Sequence, residues 1–268
     1  MIDLYRAQAE ETEWLYAPEE PYAQRDGATL RLQLIFPFRR DMPADERYPV
    51  VLFVPGAAWY RQEMYNSVPQ WAKLAERGAV VAAVQVRSSQ EAVFPAQTED
   101  LMDAIRHLAR EAEKWHIDPH RMFLAGHSSG GHIALMTVML HMAELAAAQE
   151  YTLRGVIAAS APTDLRLCGG KPSLDLLGLS SLEEDPERVA AASCYPYVNR
   201  TAPLPRILLI HGTQDTVVPI AHIERLHHQL VLAGKRVEFL CLSGAGHGGA
   251  WQWRSALLDR MMKFMRDG

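Results

Sequence analysis

Short apolar runs rich in β-branched residues alternate with longer helical patterns along most of the chain, and this alternation restricts the fold more than any other feature. The strand candidates are residues 30–36, 50–54, 80–86, 122–125, 156–160, 207–211 and 237–242; the helix candidates are 68–77, 96–115, 131–143, 221–233 and 250–265. Strands joined by helical crossovers give an α/β fold, a mostly parallel central sheet with helices on both faces. The 96–115 pattern shows why: Leu101, Ile105, Leu108 and Ala112 recur at three- and four-residue spacing, so one stripe faces a sheet while acidic and basic residues face water. One segment breaks the rhythm. Residues 162–205 carry Gly169, Gly170, Pro172, Gly178, Pro186, Pro196, Pro203 and Pro205 with weak periodicity. A lid or insertion over a site is expected there, within one domain spanning 1–268, rather than a linker between two.

The totals remove several function classes. A chain of 268 residues buries about three quarters of its unfolded surface and needs no disulfide or metal for stability. Its formal net charge of −5, with Lys and Arg scattered, lacks the electrostatic footprint of a nucleic-acid binder. Cys168, Cys194 and Cys241 form no C-x-x-C pair and no zinc-ligand spacing. The opening stretch MIDLYRAQAEETEWLYAPEE is acidic, without a basic start and apolar core, so no secretory leader is expected. No apolar run approaches bilayer-spanning length. The expectation is a cytoplasmic protein with neither membrane nor nucleic-acid partner.

The stretch AGHSSGGH, residues 125–132, follows the apolar run Met122-Phe123-Leu124 and opens a helix pattern. Gly126-His127-Ser128-Ser129-Gly130 fits G-x-S-x-G in one register only, because His127 stands where Ser129 would need a glycine. A serine at the tip of a strained strand-to-helix turn needs small neighbours two places either side, and the following helix N-terminus favours developing negative charge. Ser128 is therefore the candidate nucleophile.

A serine hydroxyl reacts only when a base takes its proton and an acid orients that base. In this type of fold both follow the serine, acid first. Asp215 lies in "IHGTQDTVVP" just after the 207–211 run, and His247 in "SGAGHGG" just after 237–242. Both stand at carboxyl ends of strands, where open α/β sheets place their sites. Asp164 in "APTDL" is the alternative acid. Of the eleven histidines, His107, His116, His120, His141, His222, His227 and His228 fall on or beside helix patterns as surface or packing residues. His211 ends a strand as a structural hydrogen-bonder. His127 and His132 neighbour the elbow as further candidate substrate contacts.

The oxyanion of a tetrahedral intermediate needs preorganised N–H donors. The backbone of Ser129 supplies one, its side chain being incidental. The loop Pro55-Gly56-Ala57-Ala58-Trp59, leaving the 50–54 strand, supplies the others through Ala57 and Ala58. Trp59 and Tyr60 follow that loop and Trp251 and Trp253 follow His247, so aromatic rings are expected near the mouth, with Trp59 and Tyr60 as candidate substrate contacts; core anchoring is the alternative for each.

Together, PGAAW, "VRSSQEAVFPAQTEDLMDAIRHL", "IDPHRMFLAGHSSGGH", "APTDL", "HGTQDTVVP" and "GAGHGG" resemble the α/β-hydrolase fold. Within it they are most similar to the esterase and lipase branch with an HGGGW-type oxyanion loop, the acetyl-xylan esterase and feruloyl-esterase-like group. The likeness runs from about Tyr48 to the end. This chain departs from the pattern where Pro55, Ala57 and Ala58 replace the family's histidine and two glycines, which removes a side chain that braces the loop and adds methyl groups to the pocket. The resemblance implies a serine carboxylic-ester hydrolase without metal or organic cofactor, removing short acyl groups, acetyl above all, from a small-molecule ester such as an acetylated oligosaccharide. The same three residues also serve amide hydrolysis of the arylformamidase or peptidase kind. From another class, a catalytically idle α/β-hydrolase fold that binds a ligand or partner stands as the alternative.

Overall fold

The computed structural model describes residues 12–267; the first eleven residues of the acidic opening stretch, where no leader is expected, lie outside that range. In chain order the elements are β1 (Glu13–Arg25), β2 (Ala28–Phe38), β3 (Tyr48–Val54), α1 (Val68–Ala75), β4 (Val80–Val84), α2 (Ala96–Arg110), β5 (Ile117–His127), α3 (Ser129–Leu140), α4 (Met142–Ala147), β6 (Leu153–Ala159), α5 (Lys171–Leu177), α6 (Pro186–Ala191), β7 (Arg206–Gly212), α7 (Ala221–Leu232), β8 (Val237–Leu242) and α8 (Ser255–Arg266). The eight strands form one sheet in the order β1-β2-β4-β3-β5-β6-β7-β8. From β4 through β8 all pairings are parallel, while β2 pairs antiparallel with both β4 and β1.

Successive side chains of a strand point to opposite faces, so each buried strand feeds two cores. Val50, Leu52 and Val54 of β3, with Met122 and Leu124 of β5, pack on the face covered by α2, α3 and α7. Val51, Phe53 and Phe123 point to the other face, against α1 and α8. There the Phe123 and Phe264 rings meet edge-on, centroids 6.4 Å apart. Strands buried on both faces read as continuous apolar runs, which is why VVLFV and MFLA were visible as strands. α3 is buried along all of its length but its last residue, wedged between the sheet and α2.

Three expectations change. β1 carries no clean alternation and was not anticipated; it hairpins onto β2 through Asp26 and Gly27, whose φ angles of 50° and 82° suit a two-residue turn. The last helix starts at Ser255 rather than 250, because Ala250–Trp253 forms a 3-10 turn and Arg254 is extended. Residues 162–205 contain regular structure: α5, α6 and 3-10 turns at Leu165–Leu167 and Tyr195–Tyr197. Pro172, Pro186 and Pro196 sit in the first turns of their elements, where a missing N–H breaks no helical bond. The same prolines interrupt the apolar periodicity, so short helices read as irregular chain.

Candidate active site

Ser128 stands between β5 and α3 with φ 56° and ψ −126°, a left-handed backbone that costs about 1–3 kcal/mol in a non-glycine residue. Its N–H donates to the Ala159 carbonyl at 2.8 Å, which ties the turn to the neighbouring β6. The flanking glycines are required by contact. A Cβ on Gly126 would lie 2.3 Å from the Gly130 carbonyl oxygen, and one on Gly130 would lie 2.0 Å from the Val54 oxygen. The turn is thus pressed against both itself and β3.

The structure brings the three residues expected in sequence into one chain of hydrogen bonds. Ser128 Oγ lies 2.9 Å from His247 Nε2. His247 Nδ1 lies 3.0 and 2.9 Å from the two oxygens of Asp215. Asp215 is buried; burial opposes its charge, but the Val218 N–H and His247 outweigh burial and hold its carboxyl below the usual range. Its Oδ1 also accepts from the N–H groups of Val217 and Val218 at 3.0 and 2.9 Å, fixing its orientation. His211 is fully buried and donates through Nε2 to the Val218 carbonyl at 2.8 Å, the structural part expected of it.

His127 adds a contact that sequence reasoning did not assign. Its Nε2 donates to the main-chain carbonyl of His247, and the two rings lie 5.0 Å apart. Burial pushes the His127 imidazole down to about 4, so it is neutral at pH 7. Its place inside G-x-S-x-G was the only available signal, and that pattern leaves the residue type open.

The loop after β3 holds one of its expected donors in another bond. The Ala57 N–H is already engaged, donating to Ser129 Oγ at 3.0 Å. Ala58 and Trp59 both take left-handed φ, 50° and 61°, and the Ala58 N–H finds no acceptor among the described residues. Ser129 opens α3, where no preceding turn supplies an acceptor for its N–H. With no histidine at Pro55, the loop is braced from outside the motif. Gln62 Nε2 donates to the Pro55 carbonyl at 3.2 Å while its Oε1 accepts from the Val86 N–H at 2.9 Å, and the Trp59 carbonyl accepts from the Ser89 N–H at 2.8 Å. No spacing rule points to Gln62.

Beside Ser128 lies a cavity of about 320 Å³, walled by Ala58, Trp59, Ser129, Cys168, Gly169 and His222 among others. Residues 167–173 of the segment between β6 and β7 form one side. His222, read as a helix packing residue, is 2% exposed within this wall, and its Nδ1 accepts from the Thr163 N–H at 3.2 Å. Trp59 reaches the wall, but its indole N–H is committed to His132 Nδ1 at 3.1 Å. His132 is fully buried, and its other nitrogen donates to the Ala192 carbonyl at 2.8 Å, away from substrate. Tyr60 does not contribute a free hydroxyl: it donates to Asp175 on α5 at 2.7 Å. Trp251 and Trp253 pack on the α8 side of the sheet, Trp253 against Phe53. Asp164, the alternative acid, is paired with Arg166 at 2.7 Å and does not contact His247.

Residues 40–230 match the family model BD-FAE. The chain belongs to the BD-FAE family. This BD-FAE member is 28% identical over 240 residues to a probable isoprenylcysteine alpha-carbonyl methylesterase of Oryza sativa, covering 81% of this chain and 55% of that protein. It is 27% identical over 229 residues to Esterase LipC of Mycobacterium tuberculosis, covering 78% and 55%. The chain therefore spans little more than half the length of these curated relatives. Among solved structures, a bifunctional GH43-CE protein of Bacteroides eggerthii superposes with a TM-score of 0.78 at 25% identity, over 95% of this chain and 38% of that one. A truncated carbohydrate esterase from gut microbiota gives 0.78 at 23% identity, over 98% and 99%, which shows a shared fold. No helix of the described residues is long and apolar enough to cross a membrane.

Proposed function

We propose that this chain is a serine carboxylesterase working through an acyl-enzyme. Ser128 Oγ attacks the ester carbonyl while His247 Nε2 takes its proton; the tetrahedral intermediate collapses, and the protonated imidazole gives that proton to the leaving alcohol. Water, deprotonated by the same nitrogen, then attacks the acyl-enzyme, and the acid leaves as the imidazolium returns the proton to Ser128 Oγ. Asp215 holds the imidazole with Nδ1–H toward itself and stabilises the imidazolium. Backbone N–H groups of Ala58 and Ser129 receive the oxyanion. The observation that carries this proposal is the unbroken chain Ser128–His247–Asp215, at 2.9 Å per link by the nearer carboxylate oxygen, beside a cavity of about 320 Å³.

The small residues Ala58, Gly169 and Gly170 in the wall near Ser128 suit a short acyl group, acetyl above all. The likeness to the GH43-CE protein favours a carbohydrate-type alcohol, with residues 162–205 as the segment that covers it. A cytoplasmic setting, part of the same proposal, restricts the substrate to small acetylated oligosaccharides. A second reading rests on Leu167 and Val217, 49% and 67% exposed and lining the cavity: an apolar group on the acyl side of a methyl ester in place of acetyl, as the name of the related methylesterase has it.

The test is a hydrolysis panel with Ser128→Ala as control: aryl esters of increasing acyl length, acetylated xylo- and manno-oligosaccharides, an isoprenylcysteine methyl ester and N-formyl-kynurenine. Turnover that peaks at acetyl and extends to the acetylated sugars is expected. Preference for the methyl ester selects the second reading, and preference for the formamide replaces ester with amide hydrolysis. Wild-type rates retained in Ser128→Ala would remove the mechanism.

A further inference from the structure

We propose that the Ser129 side chain is itself an oxyanion donor, passing on the hydrogen-bonding capacity of the Ala57 N–H; this rests on the esterase function proposed above. Ser129 is 2% exposed, lines the cavity beside Ser128 and Ala58, and accepts the Ala57 N–H at 3.0 Å. A hydroxyl has one hydrogen to donate and two lone pairs. Here a lone pair is used, and among the described residues the hydrogen has no acceptor. A hydroxyl hydrogen left without an acceptor is unfavourable. The position that satisfies it lies in the cavity, where the carbonyl oxygen of a bound ester gains charge on attack. An N–H donating into an oxygen polarises that oxygen's own O–H, so the two bonds reinforce each other.

Geometry accounts for the detour. Ala58 and Trp59 at left-handed φ, with Gln62 on the Pro55 carbonyl, set the loop so that the Ala57 N–H points at α3 rather than into open cavity. An alanine at 129 would leave that N–H without its acceptor. In this chain the hydroxyl extends the donor by one atom, from the backbone of the loop to the side chain following the nucleophile.

Ser129→Ala, Ser129→Thr and Ser129→Cys are compared with wild type on p-nitrophenyl acetate, with melting temperature and phenylboronic acid inhibition measured alongside. Loss of one oxyanion donor lowers kcat by about 10²–10³. The expected result is that fall in Ser129→Ala with KM changed less than about twofold, an inhibition constant for the boronate that rises in parallel, and recovery in Ser129→Thr. A residue that merely braced the loop would lower the melting temperature and raise KM together with any loss of kcat. Should Ser129→Ala not fold, Ser129→Cys carries the test, since a thiol fills the site but donates weakly; it should lose kcat similarly. Unchanged or faster turnover in the alanine variant, or in the cysteine variant if only that folds, overturns the inference. Activity surviving in Ser128→Ala instead overturns the serine-esterase function, whatever Ser129 does.

Discussion

The imidazole of His127 donates through Nε2 to the main-chain carbonyl of His247, so the residue before the proposed nucleophile anchors the segment that carries its base. Burial pushes His127 down to about 4, and its Nε2–H donates in either protonation state, so this bond does not depend on pH. A neutral hydrogen bond contributes about 1 kcal/mol. His127→Phe, which keeps a ring but no donor, should lower kcat roughly fivefold to tenfold with KM little changed, measured by steady-state kinetics at pH 7.

The two carboxylates weighed in the sequence should separate sharply. Asp215→Asn removes the acceptor that selects the imidazole tautomer and should reduce kcat by about 10⁴. Asp164→Asn breaks an ion pair with Arg166 but leaves the Ser128–His247–Asp215 hydrogen bonds in place, so it should leave kcat within a few-fold, at a modest loss of stability. Equal effects would mean that the acid is wrongly assigned.

Two glycines near Ser128 predict opposite outcomes. Gly130→Ala drives a methyl to 2.0 Å from the Val54 oxygen, backbone against backbone, and should cost more than about 4 kcal/mol or abolish folding. Gly169→Ala meets nothing within 4 Å, so denaturant midpoints should hardly move, while the added methyl in the cavity wall raises KM for longer acyl groups.

Stability should fall on mild acidification through His132. The ring accepts from the Trp59 indole at one nitrogen and donates to Ala192 at the other, which only the neutral form can do, and burial holds it down to about 4 from 6.5. The unfolded chain then binds a proton that the folded one refuses. Stability is intact above about pH 6.5 and is lost as pH falls toward 4, by about 3 kcal/mol at a slope near 1.4 kcal/mol per unit. His127, His211 and His222 are shifted the same way, so the wild-type slope exceeds one proton. Urea unfolding at pH 7, 6 and 5 should show a shallower dependence in His132→Gln by about one proton.

What the sequence made legible follows from how local each signal is. The β5–α3 elbow and the loops bearing Asp215 and His247 each reside in a few consecutive residues, and the parallel strands carry unbroken apolar runs, so both could be read. The hairpin signal Asp26-Gly27 was present as well, but the polar β1 beside it gave no strand pattern to attach it to. Contacts made across the chain were out of reach: Gln62 on Pro55, Ser129 Oγ on the Ala57 N–H, Tyr60 on Asp175 and His127 on His247 join residues separated by 7 to 120 positions. Each depends on where a side chain lands after folding, and no periodicity encodes that.

Four non-glycine residues at the carboxyl ends of neighbouring strands, Ala58 and Trp59 after β3, Ser128 after β5 and Ser160 after β6, hold left-handed backbone. Each opposes folding by about 1–3 kcal/mol, and all stand around one rim of the sheet. An engineer raising the thermal tolerance of this protein would find the most responsive positions there, and would there be altering turnover as well. Durable variants that stay active should come instead from the opposite rim, where the strands begin and no chemistry depends on the shape of a turn.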